Sequence, residues 1–103
     1  MSAVPRREGL ERLEKEIAGE KAAALGRAGE RLEHAIAEAH EIGAALLRTP
    51  DPAARARLLR QYAGARGRAQ RARTALVIQR EALGLRRHAV VDQQFPEPPR
   101  APR

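Results

Sequence analysis

His34 and His40 are the side chains best suited to hold a metal, and Glu30 stands four residues before His34. Positions four apart share a helix face, so Glu30 and His34 could together grip a divalent cation weakly. His40 lies six residues beyond His34, on the opposite flank, and cannot join them. The Glu-x-x-His spacing of di-iron helical bundles is absent. Covalent catalysis is no better provided for. Ser2 is the one serine, Thr49 and Thr74 are the only threonines, and there is no Cys or Asn. A serine or cysteine triad therefore lacks a nucleophile. No glycine falls into a GxGxxG or GxxxxGK[ST] phosphate loop. No catalytic, cofactor-binding or metal-ligating set is expected, and the chain reads as a non-enzyme.

Composition points to helices sharing a thin interface. Of 103 residues, 43 % are hydrophobic but only 2 % aromatic, with Tyr62 and Phe95 the only aromatic rings besides histidine. Alanine supplies much of the apolar content, which lines a helix seam without filling a thick core. Residues 8 to 48 carry nine Glu against six Lys or Arg, whereas residues 53 to 88 carry ten Arg against Glu81 alone. Between them stands Thr49-Pro50-Asp51-Pro52. Pro50 pushes Thr49 out of helical geometry, Asp51 is a favoured N-cap, and Pro52 suits a first helical turn. An all-α antiparallel hairpin is predicted over residues 1–91, with a helix over about 5–47, a turn over 48–52 and a helix over about 52–88. No run of residues approaches the roughly 18 apolar positions of a membrane span, and the chain reads as cytoplasmic.

Fold-back fixes a register in which facing residues have numbers summing to 100 or 101. That sum pairs Ile17 with Leu83, Leu25 with Leu76, Leu32 with Ala69, Ile36 with Ala65, Ala39 with Tyr62 and Gly43 with Leu58. Most pairs set a large side chain against a small one, as interdigitated packing requires. Continued outward, the register brings Val90 and Val91 to Leu10. Arg66, Arg73 and Arg80 recur every seven residues beside the basic helix's stripe and fall near Glu33, Glu30 and Glu20. Such exposed pairs are each worth about 0–1 kcal/mol and select orientation more than they stabilise.

Two further surfaces follow. Ile42, Leu46, Leu47, Leu59, Val77 and Ile78 project wide of the seam, and exposed apolar strips on a long hairpin mark a second interface. The simplest closure is a homodimer with twofold symmetry, forming a four-helix bundle. Gly19, Gly26, Gly29, Gly64 and Gly67 interrupt good helix formers and would be explained by close backbone approach at such an interface. Opposite the seam, Arg57, Arg60, Arg68 and Arg71 form a row of about 20 Å that could track phosphates without sequence preference. No aromatic side chain interleaves with them for base stacking. Residues 92–103 read as a Pro-rich disordered tail, within which Pro96-Glu97-Pro98-Pro99-Arg100 has the spacing of a polyproline ligand.

The segment from Val77 to Leu85, VIQREALGL, with Ala24-Leu25-Gly26-Arg27 upstream, resembles small uncharacterised bacterial helical proteins. The resemblance implies a bacterial cytoplasmic source and no assigned activity. A hairpin of this length is also similar to the secreted WxG-type helical pairs, but their Trp-x-Gly turn is replaced by Thr49-Pro50-Asp51-Pro52, which excludes that family. The sequence thus points to a self-associating structural or protein-interaction module without a cofactor. Non-specific nucleic-acid binding through the Arg row is the second reading.

Overall fold

A computed structural model describes residues 6–101, so Pro5 and the last two residues of the tail lie outside it. Helix α1 spans Arg6–Arg48, helix α2 spans Pro52–Ala82 and a short α3 spans Ala89–Gln94. No strand occurs among the described residues. The two long helices pack antiparallel as a hairpin, in a body of 77 × 27 × 15 Å.

The turn is held by side chains at both helix ends. Asp51 Oδ2 accepts a hydrogen bond from the Ala54 amide at 2.9 Å, with Pro52 in the first helical position. On the α1 side, the last carbonyls of a helix have no partner within it. Arg55 supplies one: its Nη1 donates to the Leu46 carbonyl at 2.6 Å and the Thr49 carbonyl at 3.1 Å. Thr49 Oγ1 donates to the Ala45 carbonyl at 2.7 Å. One arginine from α2 therefore caps α1, an arrangement in which the fold-back itself satisfies the backbone.

The middle of the seam is as the register requires. Leu32, Ile36, Ala39, Tyr62, Ala65, Ala69 and Leu76 are buried, and Leu25, Gly43 and Leu58 are half-buried. The facing partners are shifted, however. The Tyr62 ring rests on Gly43, where a Cβ would sit 3.5 Å from its Cε2, rather than on Ala39 alone. For this contact the residue numbers sum to 105 rather than 101. Each Cα–Cβ bond leans toward its own helix N-terminus, so side chains of α1 lean away from the turn and those of α2 lean toward it. Residues that meet are therefore offset along the axis.

Ile17 and Leu83, expected as the outermost seam pair, are both exposed. The basic helix stops at Ala82 instead of running to about residue 88. Gly84 takes φ = +83°, a left-handed conformation that costs glycine little. The Leu85 amide bonds the Arg80 carbonyl and the Gly84 amide bonds the Glu81 carbonyl, which closes the helix as a Schellman motif. With 43 residues against 31, α1 runs past α2 by its first twelve, Arg6–Ile17. That overhang is about 18 Å long.

The chain after Gly84 turns back along the hairpin rather than onward to Leu10. Val91 is 2 % exposed and belongs to the same apolar cluster as Ala28, Leu32 and Leu76, with Phe95 packed against it. Pro98 is fully buried, and Ala101 packs beside Leu46, Tyr62 and Ala65. Residues 85–101 therefore form a strap along one groove of the hairpin, in place of the disordered ending that the proline content suggests. Leu32 is 1 % exposed and lines the strapped groove, whereas Leu47 is 89 % exposed. Leu32→Ala is expected to cost about 2–5 kcal/mol, and Leu47→Ala less than about 0.5 kcal/mol, in urea unfolding followed by circular dichroism.

Candidate interaction surfaces

The strapped groove is built on the arginine repeat. Positions seven apart stand on one flank of α2, and Arg66, Arg73 and Arg80 use that flank to hold the strap. Arg66 Nε donates to the Pro98 carbonyl at 2.9 Å, and its Nη2 reaches Glu97 Oε1 at 3.2 Å. Gln70 Nε2 donates to the same Glu97 oxygen at 2.8 Å. Arg73 forms a forked pair with Asp92 at 2.7 and 3.1 Å. Arg80 donates to the Arg87 carbonyl at 2.8 Å and to His88 Nδ1 at 3.2 Å. The Tyr62 hydroxyl donates to the Pro99 carbonyl. The expected pairing of these arginines with Glu33, Glu30 and Glu20 is replaced, because the strap brings carboxylates and carbonyls into the groove between them. The hydrogen bond from Arg73 holds Asp92 below the usual carboxylate range and raises Arg73 in turn.

The opposite groove is open. It is a concavity of about 570 Å³ with Ala35 and Ala72 at its floor and Glu30, His34, Glu38 and Arg68 along its rim. Arg68 Nη2 and Glu38 Oε1 pair across it at 2.7 Å. Among the described residues, no three His, Cys, Asp or Glu side chains gather as a metal site. The four residues of the Arg row, Arg57, Arg60, Arg68 and Arg71, are all exposed. Arg68 and Arg71 lie back along the helix, each with Nη1 3.4 Å from where a Cβ on Gly64 or Gly67 would stand. Around Gly19, Gly26 and Gly29 a Cβ would meet nothing within 4 Å; Gly19 and Gly26 are exposed, and Gly29 is half-buried at the cleft lined by Val91 and Phe95.

The apolar flanks expected to form an oligomer interface divide differently. Leu46 is buried, with Ile42 and Leu59 packed against its cluster, since the Tyr62 ring and Ala101 thicken the seam enough to take in its margins. Val77 is half-buried, leaving only Leu47 and Ile78 exposed from that set. Exposed apolar bulk collects elsewhere. Leu10, Leu13 and Ile17 on the overhang, with Leu83, Leu85 and Val90 beside the end of α2, are six of the eight large exposed apolar side chains among the described residues. Ile17 was expected against Leu83 and Leu10 against Val90 and Val91, whereas all but the buried Val91 are exposed. Gly84 itself was the signal for a shorter partner helix.

Compared with protein-family models, curated proteins and solved structures, the chain matches none. No helix among the described residues is long and apolar enough to cross a membrane.

Tyr62 is the only tyrosine and there is no tryptophan, so its fluorescence reports on the strap directly. Asp92 has a lowered folded-state pKa, so its contribution is complete above the unfolded value of about 4 and lost as pH falls through the lowered one. Acidification below about pH 4 is expected to shift the Tyr62 signal toward that of free tyrosine. In Asp92→Asn the Asp92 part of that pH dependence should vanish, with the signal already partly shifted at pH 7.

Proposed function

We propose that this chain is a non-enzymatic protein-interaction module that self-associates through helix faces, with a homodimer as its working form. One observation carries the reading: the large exposed apolar side chains gather at the open end of the hairpin rather than scattering over its surface. An apolar stripe along the overhanging end of a thin rod is the kind of patch that marks an interaction site. The flanks of the seam do not supply this patch, since most of them are taken up within the chain, so a side-by-side four-helix bundle has less support than contact at the open end. The setting proposed is the bacterial cytoplasm, on the sequence grounds given above.

The Arg row offers the competing surface. It differs from the open end in what it would bind and in how salt would act, because phosphate contacts release counterions and weaken steeply as salt rises. Size-exclusion chromatography with light scattering, read also at 260 nm, separates the two. The expected result is a mass rising with concentration from 11.3 kDa toward twice that value, without excess absorbance at 260 nm. Leu13→Asp should return the mass to that of the monomer with helicity unchanged. A 260 nm signal stripped by salt, carried by a protein that stays monomeric, would move the function to the Arg row.

A further inference from the structure

The overhang of α1 carries the pattern of its own partner. Leu10, Leu13 and Ile17 are 54 %, 52 % and 43 % exposed, and their spacing continues the apolar stripe that α2 covers along the rest of the helix. Twelve residues of unsupported helix are marginal in water, and nothing within the described residues lies along this stripe. Resting on the reading of self-association, we propose that a second copy's overhang covers it in antiparallel orientation. Leu10 then faces Leu13 of the second copy, with a twofold axis between Glu11 and Arg12.

Spacing and charge select this register. Leu10, Leu13 and Ile17 occupy the first, fourth and first positions of successive heptads, and antiparallel helices set the first position of one against the fourth of the other. Facing numbers then sum to 23 or, one heptad further, to 30. In the first case Arg7 flanks Glu14 of the second copy, and Glu16 stands beside the uncharged Gly9 of the second copy. In the second, Glu14 and Glu16 would each meet their own counterparts, and Arg7 would meet Lys21 of the second copy, all like charges. Only the sum of 23 aligns Arg6–Ile17 with itself over its whole length. It also continues the seam: along the overhang, the second copy takes the place α2 has along the rest of α1. The contact is isologous and closes at two chains.

The absence of cysteine makes the arrangement testable with single-cysteine variants. Leu10→Cys and Leu13→Cys, one of them isotopically labelled, would be mixed and treated with a short bis-maleimide. Mass spectrometry then distinguishes mixed from like pairs, and circular dichroism verifies that both variants remain helical. The mixed product, joining position 10 of one copy to position 13 of the other, is expected to dominate. Arg7→Glu and Glu14→Arg should each raise the dimer dissociation constant about fivefold, two exposed ion pairs being lost, and the double exchange should restore it. Dominant like pairs would mean parallel helices and overturn the proposal. A dimer by light scattering that gives neither product and ignores the charge exchange would overturn it while leaving self-association through another face. A monomer at every concentration would overturn both.

Discussion

Two helices that meet along a single line leave a groove on either side, and a seam rich in alanine is too thin to close them. That constraint governs the rest of this molecule. Leu32, Ile36 and Leu76 are large enough to need cover from more than one side, whereas Ala28, Ala65 and Ala69 add little bulk around them. One groove is closed by the chain's own strap, and Val91, Phe95 and Pro98 supply the apolar side chains that the second helix lacks. The other groove remains an open channel, walled by charged side chains and crossed by the Arg68–Glu38 pair. The twelve residues that outrun α2 have neither cover, which is why the apolar surface of the protein collects there.

Charge serves the same end by a different route. The excess of arginine on α2 invites a reading in terms of nucleic acid or of α1's glutamates. Three of those arginines instead bind the strap, and a fourth, Arg55, caps the last turn of α1. Guanidinium groups suit this task because one fork can take a carbonyl and a carboxylate together, as Arg66 does with Pro98 and Glu97. Proline suits the strap. An extended Pro-rich segment has few amide donors to satisfy, so it can lie in an apolar groove while its carbonyls are taken by Arg66 and Tyr62.

The hairpin, its turn and the centre of its seam were legible because they rest on local rules: a helical period, the Asp51 cap and the two prolines around it. The register was legible to within about a turn, the offset arising from side-chain lean rather than from backbone level. The end of α2 was harder to read, since Leu85 to Val91 continue a helical pattern and only Gly84 argues for a stop. From that one ambiguity followed the misplaced tail, the arginine partners and the overlooked overhang. Proline content indicated correctly that the tail is largely irregular, but irregular backbone is not the same as unpacked backbone. Burial of Pro98 depends on a groove formed by residues some thirty and sixty positions away, which no local pattern records.

The account depends most on the strap lying in its groove in solution. Nuclear Overhauser contacts within the full chain, measured between the Val91 methyl groups and those of Leu32 and Leu76, test this most directly. Strong contacts, with non-random shifts from Val90 through Ala101, are the expected result. Random-coil shifts over the same residues, with no contact from Val91 to either leucine, would contradict it.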